Sequence, residues 1–98
     1  GDSSLIRATR KGYTEVVKLL IEGGANVNKA NHNGWTSLMW ASSRGRIELI
    51  KVILDAGADI NLIDKDGISS LIWATIEGQS EAAKLLIDAG GGVDVNQK

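Results

Sequence analysis

The chain has 98 residues, a formal net charge of −1, 43% hydrophobic and 23% charged residues, and no Cys, Pro or Phe. That length holds one small domain or a few repeat units. The near-neutral charge gives no reason to expect nucleic acid or an anionic membrane as partner, and the lack of Cys excludes disulfides, thiol catalysis and zinc–thiolate sites. In chain order, the first stretch carries Leu5, Ala8 and Gly12, then Glu15, Lys18 and Gly24. The same residues return as Leu38, Ala41, Gly45, Glu48, Lys51 and Gly57, and again as Leu71, Ala74, Gly78, Glu81, Lys84 and Gly90. Six aligned triplets at a spacing of about 33 residues define a repeat. The chain divides into repeat one at 1–30, repeat two at 31–63 and repeat three at 64–98, all within a single domain.

Each unit reads as two helices and a turn-rich stretch. In repeat two, residues 37–44 end at Gly45 and residues 47–56 end at Gly57, both with helical spacing. Leu38, Ala41 and Ser42 share one face of the first helix; Ile47, Ile50, Ile53 and Leu54 share one face of the second. Thr36, Ser37, Ser69 and Ser70 offer side-chain oxygens to the unpaired N–H groups where first helices start. Residues 26–34 and 59–67 are mostly polar, and Asn33-Gly34 and Asp66-Gly67 favour tight turns, which predicts hairpin-like fingers. Repeat one lacks a finger. A lone helix pair cannot bury its apolar face, so the expected fold class is an all-α solenoid of about three stacked helix–turn–helix units. The small Ala8, Ala41 and Ala74 allow adjacent first helices to approach closely.

At this point the residues resemble the ankyrin repeat. The stretch Gly34-Trp35-Thr36-Ser37-Leu38-Met39-Trp40-Ala41 is similar to its signature, a Gly followed two residues later by Thr-Pro-Leu-His-x-Ala. Its second half, an aliphatic helix followed by Gly-Ala-Asp-hydrophobic-Asn, is matched by Gly57-Ala58-Asp59-Ile60-Asn61 and Gly24-Ala25-Asn26-Val27-Asn28. The resemblance covers essentially the whole chain. It implies L-shaped units, each a β-turn finger projecting from two antiparallel helices, with fingers and first helices forming a concave surface. Ser4, Ser37 and Ser70 stand where the family usually has Pro, which removes some preorganisation of the first turn. Ile6, Met39 and Ile72 stand where it usually has His, exchanging a polar link to the neighbouring turn for apolar packing. Two extra residues within 90–92, before Val93-Asp94-Val95-Asn96, predict a longer C-terminal loop.

Neither end carries an obviously polar cap, which repeat arrays normally need for solubility. The expectation is a piece of a longer array, or a minimal chain whose ends self-associate. A start at Gly1 in place of Met points to an excised fragment or a tag remnant. No apolar run has the length of a membrane span and no signal-peptide pattern opens the chain. The resemblance implies an intracellular location, cytoplasmic or nuclear.

The candidate working surface lies where the units differ while their core repeats. On the first helices it comprises Arg7, Arg10 and Lys11, then Trp40, Ser43 and Arg44, then Trp73, Ile76 and Glu77. The position after each finger Gly adds Trp35 and Ile68, with Asp2 at the equivalent place in repeat one, and the fingertips add His32, Asn33, Lys65 and Asp66. Large aromatics and Arg are the types most enriched at binding hot spots, and an exposed patch of Trp35, Trp40, Ile68, Trp73 and Ile76 is unusual on an inert surface. Two other readings compete: Trp40 and Trp73 stacking on one another to stabilise the array, and the basic group Arg7, Arg10, Lys11 and Arg44 forming an ordinary solvated face.

The leading functional expectation is a non-catalytic module that binds a protein or peptide on its finger and first-helix surface. A sharper alternative is a methyl-lysine reader. Trp35, Trp40 and Trp73 have a spacing similar to the aromatic cage of the ankyrin repeats of certain histone lysine methyltransferases, where a methylammonium is held by cation–π contact. The cage acid of that family aligns with Ser43 here, so a carboxylate is missing at that place, and Glu77 is a candidate substitute. An enzyme is not expected: His32 is the single His and lies on a fingertip. Asp59, Asp64 and Asp66 lack calcium-loop spacing, and Gly90-Gly91-Gly92 lacks the lysine of a P-loop. No cofactor or metal is expected. A designed scaffold without a natural ligand is a further alternative, against which the unequal units and the Ala82-Ala83 pair opposite Leu49-Ile50 argue.

Overall fold

The structure is a computed structural model in which residues 1–91 are described. Six α-helices stand in three antiparallel pairs among them: α1 (Ser4–Lys11) with α2 (Thr14–Glu22), α3 (Ser37–Ser43) with α4 (Ile47–Asp55), and α5 (Ser70–Ile76) with α6 (Ser80–Leu86). The first helices pack side by side as α1, α3 and α5, and the second helices as α2, α4 and α6. This is the expected two-layer helical stack.

The first helices begin where a hydroxyl can cap them. Ser3, Thr36 and Ser69 hold extended backbone, and their side-chain oxygens accept from the N–H groups of Ile6, Met39 and Ile72. The serines at 37 and 70, offered by the sequence as rival caps, are instead the first helical residues and are buried. Each first helix ends by turning its chain back on itself. Tyr13, Arg46 and Gln79 donate their N–H groups to the carbonyls of Ala8, Ala41 and Ala74, which satisfies groups a helix end would otherwise leave unpaired.

The fingers form as the turn residues predict. Asn31 N–H donates to Trp35 O and Gly34 N–H to Asn31 O; Asp64 N–H donates to Ile68 O and Gly67 N–H to Asp64 O. One finger then stacks on the next through Lys65 N–H donating to Asn33 O at 3.0 Å. Gly34 is needed there twice over. Its φ is 81°, and a Cβ on it would lie 2.9 Å from Asp64 Cα, so a side chain would push the fingers apart.

The core runs continuously through the three helix pairs. It includes Leu5, Val17, Leu38, Ile50, Ile53, Leu71 and Leu86, with Ala8, Ala41 and Ala74 buried where neighbouring first helices meet. In α4 the periodic reading is only partly right. Ile50 and Ile53 are buried but Ile47 and Leu54 are half-buried, while Leu49, outside the chosen face, is 1% exposed. The reason is that a middle unit packs on both sides: α4 lies against both α2 and α6, so a single stripe does not describe it. After α6 the chain makes a wider turn through Ile87–Gly91, broken by Gly90 at φ 109°. The longer loop expected before Val93 lies outside the described residues.

Candidate partner-binding groove

The three tryptophans meet, but not as a pair. Trp35, carried by the finger, stands between the other two, with ring centroids 4.4 Å from Trp40 and 4.6 Å from Trp73 at tilts of 40° and 41°. Trp40 and Trp73 therefore do not stack on one another, as one sequence reading had it; each packs on Trp35. Tilted aromatic pairs of this kind contribute about 0.5–1.5 kcal/mol beyond the apolar area they bury. Because the rings cover one another, all three are half-buried, and Ile68 is half-buried too. The wholly exposed patch expected from sequence reduces to their outer edges together with Ile76, which is 56% exposed.

Two guanidinium groups lie over the Trp40 ring, Arg10 at 5.4 Å and Arg44 at 5.2 Å from its centroid. Arg10 is held in place by an ion pair with Asp2 at 3.0 Å. Asp2 in turn accepts from Asn31 Nδ2 at 2.8 Å, while Asn31 Oδ1 accepts from the N–H groups of Asn33 and Trp35. The amide orientation of Asn31 follows from this network, since Nδ2 cannot accept from two backbone donors. Trp40 Nε1 is buried and has no hydrogen-bond partner among the described residues.

One repeat further on, Asp64 replaces Asn31 and the outcome differs. Its Oδ1 accepts from the N–H groups of Asp66 and Ile68, and its Oδ2 accepts from Trp73 Nε1 at 2.9 Å. The carboxylate is 5% exposed, so these three bonds are what allow it to be buried. Asp64 was considered in the sequence only for calcium, and Asn31 not at all. Their equivalent positions one repeat apart, each two residues before a turn, were the available signal.

A groove of about 510 Å³ opens beside the aromatic cluster, at the seam between the second and third helix pairs. Trp35, Trp40, Ser43 and Arg44 form one side. Arg46, Gln79 and Glu77, from the turns that join first helices to second, complete it. Of the candidate residues, the structure thus brings together Trp35, Trp40, Arg44 and Glu77, with Trp73 packed on Trp35 and Arg10 over the same Trp40 ring as Arg44. Arg7 and Lys11 are exposed on α1, and His32 and Lys65 are exposed on the fingers. None of these four lines the groove. Arg46 and Gln79 were missed because their contacts cross the seam. Arg46 lies over Gly12, and Gln79 lies over Gly45 and donates from Nε2 to Ser43 O at 3.0 Å.

The ankyrin-repeat profile, in three copies, matches residues 5–98. The chain belongs to the ankyrin-repeat family. Among curated proteins it is similar to protein phosphatase 1 regulatory subunit 12A of mouse, human and rat. Each is 53% identical over 36 residues, or 37% of this chain. The match spans only 4% of the length of those relatives. In this ankyrin stack the usual His position holds Met39, 0% exposed, whose Sδ accepts from Thr36 N–H at 3.4 Å. The apolar replacement thus still supplies a weak polar link, back to its own helix cap. No helix among the described residues is long and apolar enough to cross a membrane.

Proposed function

We propose that this ankyrin domain is a non-catalytic protein-interaction module whose partner lies in the groove between the second and third helix pairs. The observation that carries the reading is the combination at that place: Trp35 and Trp40, the exposed Arg44, and open volume of about 510 Å³. That volume falls within the usual range of ligand sites. Ankyrin repeats are a protein-interaction fold, which supports the class of function but not a particular partner. The relatives are named as regulatory subunits of protein phosphatase 1. A match over 36 residues does not extend that partnership to this chain.

The methyl-lysine reading gains no support from the geometry. The rings pack against one another in place of standing around an opening, and Arg10 and Arg44 already lie over the face of Trp40. A methylammonium brought to that ring meets two like charges.

A photo-crosslinking residue placed at Ser43, in the groove, and separately at Asp55, on the outer layer of second helices, tests the reading in a cell extract. Crosslinked partner is expected from position 43 and at most background from position 55. Equal yields from both would place binding elsewhere. The double substitution of Trp40 and Trp73 is a poor probe, because Trp73 also holds the buried Asp64.

A further inference from the structure

The groove has a charge pattern, and the pattern selects a partner. Arg44 and Arg46 both line it, and neither forms an ion pair among the described residues; the two pairs present there are Arg10 with Asp2 and Lys18 with Glu15. Arg44 is exposed, so its guanidinium is free to turn from the Trp40 ring to a ligand. The single acidic group lining the groove is Glu77, at the end of α5, on the side of the third helix pair. The local backbone does not reverse this sign. The partial negative charge at the C-terminus of the seven-residue α3 is met within a few residues by the N-terminus of α4, and Gln79 takes up the Ser43 carbonyl. The potential is therefore set by the side chains, positive beside Trp40 and negative across the seam.

Resting on the reading above that this groove is the binding site, we infer that its partner is an acidic peptide segment with an apolar side chain adjacent to the acid. An Asp or Glu carboxylate of the partner meets the exposed Arg44, which presents a fork-shaped donor suited to a planar carboxylate, while the half-buried Arg46, packed over Gly12, adds positive charge behind it. The neighbouring apolar side chain covers the edges of Trp35 and Trp40, excluding water from the charged contact. Glu77 repels a second acid placed on the far side, so it fixes the direction in which the segment lies. Four features agree on this partner: an exposed arginine with no ion pair among the described residues, two aromatic rings beside it, an open groove and a single acidic boundary. A basic or methylated-lysine segment meets the same features with the wrong sign.

The test is selection from a displayed library of random heptapeptides against the folded wild-type domain, Arg44→Glu and Glu77→Gln, each checked for helical content. Wild type is expected to enrich sequences with Asp or Glu next to an aliphatic or aromatic residue. Selected peptides should bind Arg44→Glu about tenfold more weakly or worse, bind Glu77→Gln a few-fold more tightly, and weaken as salt rises. Arg44→Gln should fall between wild type and Arg44→Glu, separating charge reversal from loss of the contact. Enrichment of neutral or basic apolar peptides that crosslink to position 43 would overturn the acidic partner while leaving the groove as the site. Acidic peptides that bind Arg44→Glu as well as wild type would overturn it likewise. No enrichment by the folded wild-type domain would remove both this inference and the peptide-binding groove.

Discussion

At the scale of single residues, the difference between Asn31 and Asp64 decides how two equivalent tryptophans are held. Asp64 offers four lone-pair directions on two oxygens, enough for two finger N–H groups and the Trp73 indole. Asn31 has only one oxygen, used by its own finger, so its amide nitrogen turns to Asp2 and Trp40 Nε1 goes without a partner. Converting Asp64 to Asn should therefore set an N–H₂ against the Trp73 N–H, leaving a buried donor unsatisfied. We expect Asp64→Asn to destabilise the fold by about 1–3 kcal/mol in urea unfolding. Trp73→Phe should cost a similar amount, and the double variant should cost less than the sum, because both remove one bond. Additive costs would show that the indole and the carboxylate contribute independently.

At the scale of elements, the repeat fixes each helix pair, while the seams depend on polar residues that the repeat does not mark. Gly45 and Gly78 occupy equivalent positions with nearly equal φ, 68° and 72°. A Cβ on Gly78 would meet nothing within 4 Å, whereas one on Gly45 would run into the Gln79 amide that spans the seam to Ser43 O. Both Gly→Ala changes carry the left-handed backbone cost of about 1 kcal/mol. Gly45→Ala should cost roughly 1 kcal/mol more, since it dislodges the Gln79 bond. In a Gln79→Ala background that excess should vanish; an excess that persists would place its origin within the helix pair. This contrast also marks what could be read from sequence. Helices, caps, fingers and the small residues between first helices follow from spacing and turn chemistry at 33-residue intervals. The tryptophans were legible as a set, because Trp40 and Trp73 fall at equivalent first-helix positions and Trp35 follows the finger Gly on the same surface. Their order, with Trp35 in the middle, was not, since it depends on the angle between finger and helix. Arg46 and Gln79 were invisible for a related reason: each follows a Gly at a turn, a place that reads as solvent until the neighbouring unit is set against it.

Across the whole molecule, burial of a given repeat position depends on which neighbours it has. Ile6, Met39 and Ile72 are equivalent in the repeat, yet they are 1%, 0% and 43% exposed. On the second helices the gradient runs the other way: Val16 is 43% exposed while its counterparts Leu49 and Ala82 are each 1% exposed. The residues at 6, 39 and 72 thus face the following unit and those at 16, 49 and 82 face the preceding one. In a linear stack, stability is close to a sum of unit terms and seam terms, so a substitution at one repeat position costs what its own seam is worth. Met39 is fully buried on a helix that has a following unit packed against it, so Met39→Ala should remove about 2–5 kcal/mol, the range for truncating a fully buried large side chain. Ile72→Ala changes a side chain that is nearly half in water and has no following unit among the described residues, so about 1 kcal/mol or less is expected. Chemical denaturation of the two variants under identical conditions gives the comparison directly. Equal losses would contradict the seam account, because they would mean that position 72 is stabilised within its own helix pair as strongly as position 39 is by its neighbours.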